Sequence, residues 1–159
     1  MGFRISICKP CKIYYMNRIL VAVDFSEYSN DVLKVAYSLA KRIDASVTLV
    51  TIINKFIEYM PVDTGESFAD EWEARQHIAN THLNKVKQAH PEIETEAISF
   101  IGDPKEDIID LAIEHRACFI VMGTHGRTGL SNLLMGSTAE YIIRHSPVPI
   151  IVVPHKKEK

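Results

Sequence analysis

With 159 residues, 47% hydrophobic and 24% charged, the chain can build one compact domain with a sizeable core, and is too short for two ordinary ones. A formal net charge of −2 lacks the basic excess of a general nucleic-acid binder. Three cysteines make no disulfide framework, and no apolar run nears the roughly 18 residues of a membrane span, so a cytoplasmic protein bound to neither nucleic acid nor membrane is expected.

Residues 1–15 contain Arg4, Lys9 and Lys12 but no long apolar segment, so they do not read as a signal peptide. They carry Cys8 and Cys11 as a CxxC pair, without the further ligands a zinc site needs nearby. A flexible, dispensable extension is expected there. Ile19 to Val23 is a short continuous apolar run, as in a strand buried on both faces, and it ends at Asp24. A helix follows, with Ser26 or Ser29 as candidate cap and Val32, Leu33, Ala36, Leu39, Ala40 and Ile43 at helical spacing. Val47 to Ile53 is a second buried strand. The stretch 54–69 is long for a connection and holds Pro61 and Gly65, which argue against one regular helix.

Asp70 to Ala89 reads as a helix with Ile78, Ala79, Leu83, Val86 and Ala89 inward, stopped by His90-Pro91. Glu94 to Ile101 is a third strand, polar enough for a sheet edge. Asp103 can cap the next helix, Pro104 suits its first position, and Glu106 can complete a capping box. Ile108, Ile109, Ala112 and Ile113 form that helix's apolar face. Cys118 to Met122 is a fourth strand, Thr138 to His145 a last helix with Tyr141, Ile142 and Ala139 inward, and Val148 to Val153 a fifth strand. Strand and helix alternate without a tight hairpin, which predicts an open parallel sheet with helices on both faces. Residues 16–155 form the single domain, and 156–159 a short basic tail.

Between the fourth strand and the last helix the chain breaks into glycines at Gly123, Gly126 and Gly129, then reaches Gly136-Ser137. Strand, glycine loop and helix start make a phosphate site, because glycine lets backbone N–H groups approach an anion and a helix start supplies unpaired donors. The spacing G-x2-G-x9-G-S is neither the dinucleotide fingerprint nor a P-loop. It resembles the nucleotide signature of the universal stress protein family, in its ATP-binding branch. Arg18 to Glu27, RILVAVDFSE, resembles that family's opening strand and turn, and Pro147 to Pro154, PVPIIVVP, its closing strand. The likeness spans about Met16 to Pro154.

The resemblance implies a Rossmann-like α/β fold of the adenine nucleotide alpha hydrolase type, with five strands in the order 3-2-1-4-5. In that order the chain reverses between strands 1 and 4, and a ligand crevice is expected at their carboxyl ends. By resemblance Ala22, Val23 and Ile52 line the base, and Asp24 accepts from ribose or adenine; its alternative role is to cap the first helix. Met122, Gly123, His125, Gly126, Gly136, Ser137 and Thr138 match contacts to ribose and phosphates. Ala139 stands where a relative can carry a hydroxyl. Arg127 either meets a γ-phosphate or points to solvent, and His125 reads as a ligand contact rather than a catalytic group. The expected ligand is ATP, or ADP or AMP, with magnesium or manganese as an accompanying ion. The expected function is a nucleotide-binding stress-response switch with little or no hydrolysis, against the alternative of a slow ATPase. A homodimer through Val148 to Val153 is expected from an apolar strand placed last at the sheet edge.

Overall fold

The computed structural model describes residues 17–26, 28–55, 68–124 and 135–154. The extension with Cys8 and Cys11, most of the long connection and the basic tail lie outside these described residues. The elements are β1 (Arg18–Ala22), α1 (Ser29–Ile43), β2 (Ser46–Asn54), α2 (Phe68–Ala89), β3 (Thr95–Gly102), α3 (Pro104–Glu114), β4 (Phe119–Gly123), α4 (Ser137–His145) and β5 (Ile150–Val153). All strand pairs are parallel, and the order is β3-β2-β1-β4-β5, as expected. Strand ends differ from the expected ones by a residue or two, as hydrogen-bonded boundaries commonly do.

Alternation along the central strands divides the core into two layers. Ile19, Val21, Val47, Leu49 and Val121 pack with Val32, Ala36 and Ala40 of α1 and Leu83 of α2. Leu20, Val50, Ile120 and Met122 face the other way, onto Ile108, Ile109 and Ala112 of α3 and Ala139 and Ile142 of α4. Ile19, Leu20 and Val21 are each fully buried. Burying each such side chain contributes about 2 kcal/mol, which is why a bare apolar run in the sequence marks the central strand. Ile78 and Ala89 of α2 and Ile113 of α3 are exposed rather than inward. The inward arc of α3 runs from Ile108 through Ala112 to Ile109, and Ile113 lies about 40° past its Ile109 edge, far enough to reach solvent. Ile78 likewise lies off the Ala79–Leu83–Val86 stripe.

The amino ends of the strands are closed by a polar group. The Arg18 guanidinium donates to Thr48 Oγ1 at 3.2 Å and to Glu96 Oε2 at 2.7 Å, and lies 3.3 Å from His115 Nδ1. His115 Nδ1 also lies 3.5 Å from Glu96 Oε2, so the three side chains form one polar group. Next to it the Cys118 thiol donates to Arg18 O at 3.2 Å, and burial pushes its pKa up. The β3 edge is also covered: Gln76 of α2 donates to Ser99 O at 2.9 Å, and Ser99 Oγ donates to Asn80 Oδ1 at 2.8 Å.

Candidate functional site

The carboxyl ends of β1 and β4 diverge around a cavity of about 220 Å³. Parallel strands next to each other whose connections leave in opposite directions must open such a crevice. Its apolar wall comes from Ala22, Val23, Val50, Ile52, Ile108 and Met122. The chain leaves β1 under tight control. Val23 N–H donates to Val50 O at 3.0 Å, and the buried Thr51 hydroxyl donates to Val23 O at 2.8 Å. These two bonds carry the strand geometry past the last β1 residue and deliver Asp24 to the rim.

Asp24 Oδ1 accepts from Ser26 N–H at 3.1 Å, Ser26 Oγ at 2.8 Å and Ser29 Oγ at 2.9 Å. Neither serine caps α1. The N-cap position is Tyr28, which makes no side-chain cap bond, and Ser29 is already the first helical residue. Both hydroxyls are spent on the aspartate, so the turn is organised around Asp24. Between Asp24 and Ser26, Phe25 stands in the left-handed region at φ 58°. That conformation costs a non-glycine residue about 1–2 kcal/mol.

On the opposite rim Thr124 N–H donates to Val153 O at 3.1 Å, and Gly136 N–H donates to Thr124 O at 2.8 Å. The second bond brings the two ends of the glycine loop together, so Gly123 and Gly136 sit at one place although thirteen positions apart in sequence. Gly136 is the N-cap of α4 with φ −74° and ψ 152°, and among the described residues no side chain caps the helix. Its φ is negative, so the left-handed freedom of glycine is not what the position uses. Glu140 N–H makes the first bond back to Gly136 O, at 2.9 Å. The N–H groups of Ser137, Thr138 and Ala139 therefore lie ahead of the helical ladder, at the positive end of the helix, and all three residues line the cavity.

Nine of the twelve expected site residues meet at this cavity: Ala22, Val23, Asp24 and Ile52 on the β1–β2 side, and Met122, Gly123, Gly136, Ser137 and Thr138 on the β4–α4 side. His125, Gly126 and Arg127 lie outside the described residues. Sequence reasoning missed Ser26, Ser29 and Thr51, which shape the rim, and Pro104 and Ile108, which close one wall. The last two were findable. In a parallel sheet with helical crossovers every helix begins at the carboxyl end, so α3 had to start beside the crevice. Among the described residues no group of three His, Cys, Asp or Glu side chains could hold a metal ion. A magnesium ion here would depend on ligand oxygens and water, which is how that ion commonly accompanies phosphates. No helix among the described residues is long and apolar enough to cross a membrane.

A model of the universal stress protein family matches residues 16–154. Universal stress protein MJ0531 of Methanocaldococcus jannaschii is 31% identical over 150 residues, covering 89% of this chain and 84% of that protein. The solved structure of hypothetical protein MJ0577 superposes with a TM-score of 0.76 at 27% identity, covering 90% of this chain and 99% of that one. A universal stress protein from Archaeoglobus fulgidus, solved in complex with dAMP, superposes with a TM-score of 0.57 at 22% identity, covering 87% of this chain and 97% of that one.

Proposed function

The chain belongs to the universal stress protein family, and from that premise we propose that it binds an adenine nucleotide, ATP or its di- and monophosphate, in the cavity between β1 and β4. One observation carries the reading: a carboxylate and an uncapped helix start face each other across a single apolar-walled cavity. An apolar wall suits a base. A carboxylate offers about four acceptor sites, so Asp24 can serve its turn and a ribose together. The first N–H groups of α4 suit a phosphate. His125, Gly126 and Arg127 extend the phosphate end in this reading, Arg127 toward a γ-phosphate. The Archaeoglobus relative holds dAMP, and at 22% identity it supports the fold; the nucleotide assignment rests on this chain's own cavity.

The proposed role is a nucleotide-binding regulatory protein of the cytoplasm that holds its ligand rather than turning it over. Mass analysis of the nucleotide that copurifies, with and without magnesium, followed by calorimetry with ATP, ADP and AMP, tests it. Micromolar or tighter binding is expected. Absence of binding to all three would overturn the reading, and many turnovers of ATP per minute would make the protein an enzyme.

The same reading includes a homodimer through β5. The strand is apolar, half-buried and at a sheet edge, whereas the other edge has its Ser99 carbonyl engaged by Gln76. An uncovered edge strand is a pairing template. Light scattering of Ile151→Lys beside the unmodified chain tests this: a shift from dimer to monomer or to aggregate is expected. An unmodified chain that stays monomeric at high micromolar concentration would remove the proposal. Residues 1–15 are proposed to be dispensable, so a chain starting at Met16 keeps its melting temperature and nucleotide affinity.

A further inference from the structure

Phe25 sits between two residues of the cavity rim without joining them. Asp24 and Ser26 line the cavity. The Phe25 ring instead packs against the buried cluster under α1 and α2, and meets His82 of α2 edge-on, with ring centroids 4.9 Å apart and planes at 65°. Its φ of 58° is unusual for a bulky side chain. Such a conformation persists only where the surroundings hold it, and an observed outlier of this kind beside a binding site is a reason to ask what it positions.

The geometry answers that question. The bond from Ser26 N–H to Asp24 Oδ1 closes an Asx turn with Phe25 as the residue in between. Positive φ at that residue folds the chain back, so that the amide and hydroxyl of Ser26 both reach Asp24 Oδ1. In a continued extended strand, Asp24 and Ser26 would instead stand about 7 Å apart along the chain, with an amide directed sideways. The turn's own hydrogen bonds favour the fold-back and the Phe25 backbone resists it. The ring anchored on α2 tips the balance.

We infer that Phe25 is a positioning residue for the ligand carboxylate of Asp24, holding it at the cavity rim through a left-handed turn locked by the contact of its ring with His82. The inference rests on the nucleotide reading for what Asp24 contacts, but not for the turn itself. It adds a specific dependence: occupation of the cavity is tied to the α2 surface through a side chain that does not line the cavity.

Two measurements test it. The first needs no ligand. Hydrogen exchange at the Ser26 amide, followed by NMR in the full chain, should speed up at least tenfold in Phe25→Ala, which keeps the strain and loses the anchor. In Phe25→Gly, which accepts the conformation freely, it should speed up less. Amides of β1 and α1 that stay protected in both variants show that the fold is intact. An unchanged Ser26 amide in Phe25→Ala would overturn the inference whatever the protein binds.

The second is a double-mutant cycle read by calorimetry with AMP. Phe25→Ala should weaken binding about tenfold in the unmodified chain and by less than twofold when Asp24 is already alanine, because a positioning residue acts only through the group it positions. A tenfold loss in both backgrounds would overturn the inference. If the unmodified chain binds no adenine nucleotide while the Ser26 amide is released as expected, the nucleotide reading fails and the positioning of Asp24 stands.

Discussion

Two helices begin side by side at the carboxyl end of the sheet, on the same face of it, and they are finished in opposite ways. The start of α3 is closed by its own side chains. Asp103 Oδ1 accepts from Lys105 N–H at 3.0 Å, Pro104 has no N–H to satisfy, and Asp107 Oδ2 accepts from Asp103 N–H at 2.7 Å. The reciprocal carboxylate is Asp107 and not Glu106, as the capping-box spacing would have it. It bends back over Gly102, where a Cβ would collide with the Asp107 carboxyl group. The start of α4 has glycine at the cap and, among the described residues, no side-chain acceptor. Both starts border one cavity. A helix needs its first donors satisfied. Where the chain supplies the acceptors, the helix start is a structural joint. Where it does not, and a cavity lies in front, the proposed phosphate would bring them.

The strongest way to break this contrast is to finish α4 as α3 is finished. Gly136→Asp places a carboxylate at an N-cap position whose φ and ψ already suit it, and stability should hold or rise by a few tenths of a kcal/mol. The same carboxylate takes the donors a phosphate would use and repels it. ATP affinity should fall about 100-fold, equivalent to about 2.7 kcal/mol. Calorimetry beside a thermal melt reads both. A variant that melts normally and binds ATP as before would take the α4 start out of the site.

The opposite rim should respond more weakly and without regard to phosphate number. Asp24→Ala removes the proposed nucleoside contact and unties Ser26 and Ser29 together. Affinity should drop about tenfold for ATP and AMP alike, the loss of one charge-assisted hydrogen bond of about 1.5 kcal/mol. A loss confined to the triphosphate would put Asp24 at the wrong end of the ligand.

How much of this was legible in the sequence follows from which forces act locally. The central strands and the helices on both faces of the sheet could be reached from apolar runs such as Ile19 to Val23, because burial on both faces leaves no polar alternation to hide them, whereas the strand order came through the resemblance. The pairing of Gly123 with Gly136 could be reached only through a resemblance. Nothing in the composition of the residues between them says that the loop closes on the bond from Gly136 N–H to Thr124 O. Ser26 and Ser29 misled because a hydroxyl before a helix is usually a cap, and here a nearer carboxylate competes for it. Phe25 was invisible, since positive φ is announced in sequence by glycine or asparagine and not by phenylalanine.

Opening α3 tests the contrast from its other side. Asp103→Ala removes the cap acceptor and should cost about 1 kcal/mol, lowering the melting temperature by about 2–4 °C for a domain of this size. Nucleotide affinity should stay within twofold, because the Asp103 side chain serves Lys105 N–H. A clear loss of affinity with an unchanged melt would mean that the α3 start also serves the ligand.

The smallest expected effect sharpens what the α4 start reads. Ala139 is the third residue of α4, lines the cavity and is 3% exposed. Ala139→Ser adds a single oxygen, a small enough change for a site that borders open space. It gives the helix start one hydroxyl donor beyond its backbone amides. If phosphate lies against those amides, the hydroxyl should raise affinity for ATP and AMP by about threefold, some 0.7 kcal/mol, within the range of a net hydrogen bond. Adenosine, which has no phosphate, should bind as before. Comparing the three ligands by calorimetry separates the outcomes. Equal gains for all three would move the residue to the nucleoside end. Equal losses would show that its Cβ faces Ile142 and the core, where the added oxygen finds no partner and costs stability instead.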